Sequence, residues 1–309
     1  MRIGKILLLA GVVYYLFKDI DFEVVWKSLE GMNQIFVVMA IFLHLLQAFL
    51  FGVRWYYITD RACSLKGSIE VVFVAFFVNT FIPAKMGEVS RIFYLKKLYG
   101  YPAHKTVSGI FYEKLFDLMF LSFLLMLAAY VFFKDSTVSW VAVAILGSVI
   151  LFFTTLSRFE EVAWRALHII PHKAVRVFLK RMLRSLQKKN TFKDFMVTSA
   201  FTLAIRLLNF TVVIVLFRYG AQMHLSFEEL AVLFVATTVA DFLPLAPGGT
   251  GVLHAAVVFV LTRYGIDKDT ALASAIVYHL IINISPAVVA VMILANKKLS
   301  LSSLRSTPA

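Results

Sequence analysis

The sequence predicts an all-α polytopic membrane protein with about six transmembrane helices and two re-entrant hairpins made of broken helices. Composition is the first observation: 61% of the 309 residues are hydrophobic and 16% are charged, whereas globular domains contain about half and about a quarter. The second is a series of apolar stretches of about 20 residues, the length that a bilayer requires. The third is a pair of shorter apolar stretches that each stop at a proline. The chain, 1–309, is therefore predicted to form a single transmembrane domain.

Six apolar stretches account for the predicted crossings. At the N-terminus, Arg2 and Lys5 precede the apolar residues 6–17, and no cleavage site of small residues follows. We therefore expect a retained first span rather than a signal peptide. The five longer stretches are 35–53, 107–133, 138–156, 195–217 and 271–295.

The two shorter stretches, 69–83 and 230–244, are each followed by a glycine-bearing turn and a second short helical stretch. A backbone broken at membrane depth is stable only where it lines a protein-enclosed or wet cavity. The two hairpins also share three motifs in the same order: FIP (81–83) with FLP (242–244), LYG (98–100) with RYG (263–265), and SGIFY (108–112) with SAIVY (274–278). These matches predict an inverted repeat, with repeat 1 at about 35–133 and repeat 2 at about 195–295, an architecture typical of transporters.

The net charge of +13 is concentrated in one loop. Residues 157–195 hold ten of the 31 Lys and Arg residues, which predicts a cytoplasmic loop under the positive-inside bias. The same bias predicts cytoplasmic termini in a plasma-membrane protein. Within the loop, residues 173–189 place apolar and basic side chains on opposite helical faces, which predicts a helix lying on an anionic leaflet, as an anchor or in gathering lipid. No nucleic-acid-binding module surrounds the charge, so nucleic acid is not an expected partner.

The turn of the first hairpin carries a candidate anion site. A helix that begins near Glu88 offers unpaired N–H groups and a partial positive charge at its N-terminus. Lys85 and Arg91 add full positive charges, and Gly87 provides the turn, so a lipid phosphate is the expected ligand. In the alternative, both cations extend to the cytoplasmic interface and bind no ligand.

The turn of the second hairpin is rich in proline and glycine. Its candidate binding residues are Pro247, Gly248, Gly249, Gly251 and His254. Three glycines in four positions allow a sharp turn that presents successive N–H groups to an anion. The Gly-Lys-Ser/Thr of nucleotide-binding loops is absent. Because glycines also allow close helix packing, the two interpretations stand equal.

Ionisable residues also lie within or beside the predicted spans, where charges are functional or paired. Glu113 and Asp117 share one helical face near one end of the span 107–133. For Asp241, a candidate binding residue, an ion pair with Arg206 is the structural alternative. Lys114 and His279 are further candidate binding residues. For His279, as for His44 and Asn283, a hydrogen bond between helices is the structural alternative.

The sequence predicts neither a cofactor nor a metal site nor a catalytic motif. Cys63 is the single cysteine, which excludes an internal disulfide, and no His/Cys cluster has metal-ligand spacing. His-Glu-x-x-His and the Pro-Ser-Gly-His of membrane phosphatases are absent. Transport rather than catalysis is therefore the leading class of function.

Three segments carry a family resemblance: NTFIPAKMGEVSRIFYLKK (79–97), YEKLFD (112–117) and LPLAPGGTGVLHAAV (243–257). In these segments the chain resembles the transmembrane-domain family of lysylphosphatidylglycerol synthase/flippases. The resemblance implies a protein that moves or binds phospholipids or lipid-linked molecules. The synthases carry an additional soluble aminoacyl-transfer domain, which this sequence lacks, so lipid synthesis is not expected. The sequence departs from the family's pattern at His254, where Glu is usual, and at His279, where Arg is usual.

These inferences combine into one hypothesis, a flippase or scramblase for phospholipids or lipid-linked substrates. Lys85, Arg91 and the glycine turn would hold the headgroup phosphate. The carboxylates of Glu113, Asp117 and Asp241 would tune or couple the movement. The expected partners are anionic membrane phospholipids, with homo-oligomerisation or a separate synthase left open. A membrane enzyme and a lipid-binding scaffold are the alternatives.

The departures at His254 and His279 add a pH hypothesis. Two histidines can change charge near physiological pH, whereas Glu and Arg would keep fixed charges. Substrate binding or transport is then expected to vary with pH. In the alternative, both histidines are neutral hydrogen-bonding groups between helices.

Overall fold

The computed structural model describes residues 22–82, 85–128, 140, 143–148, 150–151, 170–189, 191–243 and 247–296. These residues form helices and connecting turns, and no β-strand occurs among them. The all-α prediction is therefore confirmed for the described part of the chain. Contacts between Cα atoms divide the chain into two units. The first unit comprises Met1–Phe49, Phe73–Gly87 and Arg206–Lys298, and the second comprises Leu50–Val72, Glu88–Ile205 and Leu299–Ala309.

The described residues include ten continuous helices, labelled in chain order. The first five are α1 (Phe22–Glu30), α2 (Gln34–Ile58), α3 (Leu65–Phe81), α4 (Met86–Tyr99) and α5 (Ala103–Ala128). The others are α6 (Lys173–Lys188), α7 (Phe192–Val213, continued by a π-helical segment, Ile214–Gly220), α8 (Phe227–Phe242), α9 (Val252–Arg263) and α10 (Lys268–Asn296). A 3₁₀ turn, Pro247–Gly249, precedes α9.

Three helices of the described residues are long and apolar enough to cross a bilayer. They are α2, α7 with its π-helical segment, and α10, with 25, 29 and 29 residues. They contain the predicted spans 35–53, 195–217 and 271–295, so the prediction of an integral membrane protein is confirmed. Helix α5 covers 107–128 of a fourth predicted span. The N-terminal stretch and most of 138–156 lie outside the described residues, so the total of six crossings stays a prediction.

Each predicted hairpin contains two separate helices. In the first, α3 ends at Phe81 and α4 begins at Met86, while in the second, α8 ends at Phe242 and α9 begins at Val252. The residue before a proline disfavours the helical conformation, which explains why both helices end where they do. The two prolines themselves, Pro83 and Pro244, lie outside the described residues. A re-entrant path through the membrane stays a prediction.

Close backbone approach holds helices together in the second unit. A Cβ atom on Gly52 of α2 would lie 2.7 Å from the Cα of Ile69 in α3. On Gly109 of α5, it would lie 3.3 Å from the Trp55 ring. Small residues at such positions let helices of a membrane protein approach closely. Helix α6 also packs against α5 in this unit, and the predicted amphipathic helix is confirmed, because Leu186 is buried while Arg181 is exposed.

Within the first unit, α9 packs between α8 and α10, and α1 packs against α10. Helix α8 begins with a reciprocal cap: the N–H of Glu229 donates to the Ser226 hydroxyl, and the N–H of Ser226 donates to the Glu229 carboxylate at 2.7 Å. This capping box satisfies two backbone donors that a helix start leaves unpaired. The start of α8 is thus determined locally by two side chains.

Candidate functional site

The most highly charged site in the described residues is a cluster inside the second unit, which we call the charge network. It consists of three cations and three carboxylates: Arg54, Arg91, Lys114, Glu88, Glu113 and Asp117. They come from α2, α4 and α5, and Glu113 lies ten residues beyond the start of α5, about 15 Å along the helix axis. Because isolated charges at membrane depth are costly, a network of equal positive and negative charge is the stable arrangement.

Arg54 joins the two carboxylates of α5. Its Nη2 lies 3.1 Å from Glu113 Oε1 and its Nη1 lies 3.0 Å from Asp117 Oδ1. Nη1 also donates to the Thr202 hydroxyl at 2.8 Å. Residues four apart share a helical face, so one guanidinium reaches both acids. The predicted common face of Glu113 and Asp117 is confirmed.

Arg91 occupies the interior of the same network. Its Nη1 donates to Glu113 Oε2 at 2.8 Å, its Nε lies 3.4 Å from Glu88 Oε2, and its guanidinium covers the Trp55 ring at 4.8 Å. The Arg91 side chain is only 3% exposed. The alternative in which Arg91 extends to the aqueous interface is therefore wrong, because a guanidinium enclosed by carboxylates and an indole ring is not at a surface. Its proposed phosphate contact would require it to exchange one of these carboxylates.

Lys114 is the accessible end of the charge network. Its side chain is 40% exposed, against 16% for Glu88 and 0% for Arg54. The ammonium lies 3.0 Å from Glu88 Oε1 and 3.8 Å from Asp117 Oδ2. A lysine ammonium is a compact charge on a flexible stem, so Lys114 is the cation of the network that can change partners at least cost.

Lys85 lies in the first unit beside Asp241, the candidate carboxylate of the second hairpin. Its Nζ lies 3.4 Å from Asp241 Oδ1, and the two side chains are 33% and 66% exposed. The Phe242 ring is 6.0 Å from the same ammonium. Lys85 has a positive φ of 52°, which is uncommon for a residue with a side chain. The structure thus brings together one predicted residue from each hairpin.

The turn predicted for Gly87 is wrong, because Gly87 lies within the first turn of α4 and the turn with a positive φ falls at Lys85. Gly87 serves close packing instead. Its N–H donates to the Asn79 side chain at 2.7 Å. A Cβ atom at this position would collide with the backbone carbonyl of Ala75. The first turn of α4 therefore lies directly against α3, and glycine is required there for space.

The turn after Pro247 is held against α10 by an asparagine. Gly248, Gly249 and Gly251 have positive φ angles of 57°, 74° and 83°, which glycine adopts without strain. The side-chain amide of Asn283 donates to the Gly248 carbonyl at 3.1 Å. The expectation that Asn283 hydrogen-bonds between segments is confirmed, and it ties the glycine turn to the last helix.

His254 and His279 form a hydrogen-bonded pair between α9 and α10. The N–H of Gly251 donates to His254 Nδ1 at 3.3 Å, so this nitrogen carries a lone pair. His254 then bears its hydrogen on Nε2, which lies 3.2 Å from His279 Nδ1 and donates to it. Both rings are neutral in this chain of hydrogen bonds. The structure therefore brings the two departures from the family pattern into direct contact.

Sequence reasoning missed two residues of these sites, Arg54 and Thr202. Arg54 directly follows the predicted span 35–53, a position typical of an interfacial charge, whereas the structure buries it completely. The available signal was the unmatched pair of acids on α5, which required a buried cation. No comparable signal in the sequence indicates Thr202.

The fold and the charge network define an integral membrane protein, helical throughout its described residues, that encloses paired charges among its helices. Residues 2–290 match the family described as the lysylphosphatidylglycerol synthase TM region, and the chain belongs to that family. It is also similar to a UPF0104 membrane protein of Methanocaldococcus jannaschii, with 28% identity over 214 residues, which are 66% of this chain and 87% of the relative. The resemblance inferred from the three sequence segments is confirmed, and a lipid-related function in the membrane follows from the family.

Proposed function

We propose that the protein moves phospholipids or lipid-linked molecules between the leaflets of the plasma membrane, without altering them chemically. The observation that supports this function is the neutral charge network, which offers a polar environment within apolar helices. A lipid headgroup needs such an environment to leave the interface, whereas its acyl chains remain in hydrocarbon. The termini and the basic segment 157–195 are cytoplasmic in this proposal.

Lys114 starts the exchange in this mechanism. In the structure, the Lys114 ammonium lies 3.0 Å from Glu88 Oε1. An arriving phosphate replaces Glu88 as the partner of this ammonium. The buried members of the network, Arg54 and Arg91, then keep the remaining carboxylates paired. In the first unit, the half-exposed Lys85 beside Asp241 offers a second exchangeable cation. Glu88, released from Lys114, still lies beside Arg91, whose Nε is 3.4 Å from Glu88 Oε2. Each carboxylate therefore keeps a cation, and the one excess negative charge is that of the bound phosphate, at the accessible end of the network.

The order of the helices supports a transporter built from two repeats. The same order of elements occurs twice along the chain: a long helix, a shorter helix, a break, a second short helix and another long helix. The two shorter helices have 17 and 14 residues in the first repeat, and 16 and 12 in the second. Each repeat also contains a similar motif at the same distance from its first short helix. HLLQ (44–47) begins 21 residues before α3, which starts at Leu65, and RLLN (206–209) begins 21 residues before α8, which starts at Phe227. Inverted repeats with broken helices are an established transporter architecture.

The experiment uses the purified full-length chain in liposomes. A fluorescent phospholipid in both leaflets is bleached from outside by an impermeant reductant, and the rate of the second bleaching phase reports translocation. We expect Lys114→Gln to slow this phase at least about tenfold, which corresponds to the loss of one charged hydrogen bond. Lys96→Gln is the matched control, because Lys96 is an exposed lysine at the end of α4 and no member of the charge network.

Unchanged translocation in a folded Lys114→Gln variant would remove Lys114 from the mechanism. Liposomes that bleach no faster with wild-type protein than without it would remove translocation itself. Mass spectrometry of the recovered lipids separates the two alternatives that remain. A changed lipid mass would indicate an enzyme, and retained but immobile lipid would indicate a binding scaffold.

A further inference from the structure

A groove lies beside the amphipathic helix α6, in the second unit and separate from the charge network. Its volume is about 780 Å³, within the range of about 300–1,000 Å³ typical of ligand sites. Helix α6 contributes one wall and the first turn of α5 contributes another, where the His104 ring meets the Phe178 ring edge-on at 6.4 Å. The principal lining residues are His104, Lys173, Ala174, Val177, Phe178 and Arg181.

The groove combines an apolar wall with cations at both ends. Four of the lining residues share one helical face, because they lie three, four and seven positions after the first of them: Ala174, Val177, Phe178 and Arg181. Lys173 and Arg181 are separated by eight residues, about 12 Å along the helix axis. Val177 is 39% exposed although it is apolar. The surface therefore offers both charge and hydrocarbon contact to one ligand.

The surrounding charge is of one sign. Residues 170–189 contain seven Lys and Arg residues and neither Asp nor Glu. A ligand that lies here must be anionic, and the apolar wall requires that part of it be hydrocarbon. An amphipathic helix with basic residues on its polar face lies at the level of lipid headgroups.

We propose that this groove binds an anionic phospholipid of the cytoplasmic leaflet, with its phosphate between Lys173 and Arg181 and its upper acyl chain along Val177 and Phe178. The groove holds the headgroup and the first part of one chain, since a whole two-chain lipid exceeds its volume. The site is distinct from the proposed translocation path. It exists whether or not the protein moves lipid.

The affinity follows from the two cations. Each Lys or Arg near an anionic headgroup changes lipid binding roughly fivefold, so removal of both changes it about 25-fold. Free glycerol phosphate carries the same charge without hydrocarbon, and phosphatidylcholine carries the hydrocarbon without net charge. Only a ligand with both properties fills the whole groove.

The test places a bimane probe on Ala174→Cys in the otherwise intact chain, since the native Cys63 is buried. The labelled protein is reconstituted in phosphatidylcholine nanodiscs containing increasing fractions of brominated phosphatidylglycerol, which quenches the probe on contact. We expect saturable quenching, and about 25-fold weaker apparent affinity in Lys173→Gln/Arg181→Gln. Arg176→Gln/Lys180→Gln is the matched control, because it removes the same charge from the same helix but from residues that do not line the groove. The control should change the affinity about twofold or less, through screened charge alone.

Three results would overturn the proposal. Equal loss in both double variants would indicate general attraction of the helix to an anionic leaflet. Equal quenching by brominated phosphatidylcholine would show that charge does not select the lipid. Displacement of the quencher by soluble glycerol phosphate, with Val177→Ser leaving phosphatidylglycerol binding unchanged, would show a phosphate site without a lipid contact. Thermal unfolding of each variant in detergent verifies that the exposed substitutions leave the fold intact.

Discussion

His44 compensates for the proline inside the last helix. Its Nε2 lies 3.1 Å from the carbonyl oxygen of Ile282, whose helical partner would have been the N–H of residue 286. That residue is Pro286, which has no N–H to donate. The other ring nitrogen of His44 lies 3.1 Å from the Gln47 side chain. A side chain of α2 thus satisfies a backbone group of α10, which a broken ladder within a membrane requires.

His44→Leu should therefore lower the free energy of unfolding by about 1–3 kcal/mol, because it leaves the part-buried Ile282 carbonyl without a hydrogen-bond donor. Equilibrium unfolding in mixed micelles measures the loss. In a Pro286→Ala background, the alanine N–H can bond to Ile282, so the same substitution should have a much smaller effect. An equal loss in both backgrounds would show that His44 acts in some other way.

The buried Arg54 carries the second prediction. Arg54→Gln should lower the free energy of unfolding by about 3–5 kcal/mol, because Glu113 and Asp117 lose the cation that joins them in the protein interior. Arg54→Gln with Asp117→Asn removes one charge of each sign and should recover part of the loss. Lys114→Gln, at the exposed end of the network, should change stability by about 1 kcal/mol or less. If the Arg54 and Lys114 variants were equally stable, the network would not depend on burial.

The contrast between Arg54 and the helix breaks shows what the sequence can and cannot predict. Breaks near residues 83 and 244 follow from local chemistry, because proline and glycine restrict or free the backbone wherever they stand. The shared face of Glu113 and Asp117 likewise follows from helical spacing. The partner of those acids depends on how α2 packs against α5, and this packing cannot be predicted from the local sequence. Arg54 lies seven residues before Arg61, so a basic cluster at the end of the span, as the positive-inside rule expects, explains an arginine at position 54 as well as burial does.

The histidines illustrate the same limit at the second hairpin. The glycine-rich turn was predicted from composition, and its positive φ angles agree with that prediction. Its attachment to Asn283 and the contact between His254 and His279 join residues about 25 to 35 positions apart. Spacing alone gives no reason for α9 to pack against α10 in the register that makes these hydrogen bonds.

Gly87 provides a prediction about packing. Gly87→Ala should cost about 1–3 kcal/mol or more, because the new methyl group collides with the backbone carbonyl of Ala75, which cannot move aside as a side chain would. Gly31→Ala is the control, since the nearest atom to its Cβ is 3.4 Å away and its φ is ordinary. The control should stay within about 0.5 kcal/mol of wild type. Thermal unfolding of both variants in detergent decides the matter, and equal midpoints would refute the collision.

His104 gives the proposed lipid groove a pH dependence with a definite sign. Burial, Arg181 and Lys105 hold the pKa of His104 below its usual value, and Lys173 and His172 line the same groove. A bound phosphate offsets these cations and raises the pKa, so lipid binding takes up a proton and strengthens as pH falls. Between about pH 7.5 and about pH 5.5, the affinity for phosphatidylglycerol should rise up to roughly fivefold.

His104→Phe keeps a ring against Phe178 and removes the titrating group. In the bimane assay, this variant should bind phosphatidylglycerol with the same affinity at both pH values. A pH dependence that persists in His104→Phe would assign the proton to another group, with His172 the next to replace.

The last prediction concerns His254 and His279, at positions where the family resemblance in the sequence implies Glu and Arg. Because the two side chains touch, His254→Glu or His279→Arg alone would place one charge against a neutral ring, and each should destabilise the protein by about 1–3 kcal/mol. The double substitution forms a charged pair and should be more stable than the sum of the single effects predicts, with a coupling of at least about 1 kcal/mol.

In wild type, both Nδ1 lone pairs accept hydrogen bonds, from Gly251 N–H and from His254, so a proton added to either must break one. Burial also disfavours the charged form of both rings, so we expect translocation to stay constant between about pH 8 and about 5.5 and to fall only below about pH 5, with a smaller fall in the double variant, whose charges are paired. The liposome assay measured across this range tests both points. An unchanged pH profile in an active double variant would show that the histidines serve only as neutral links between α9 and α10.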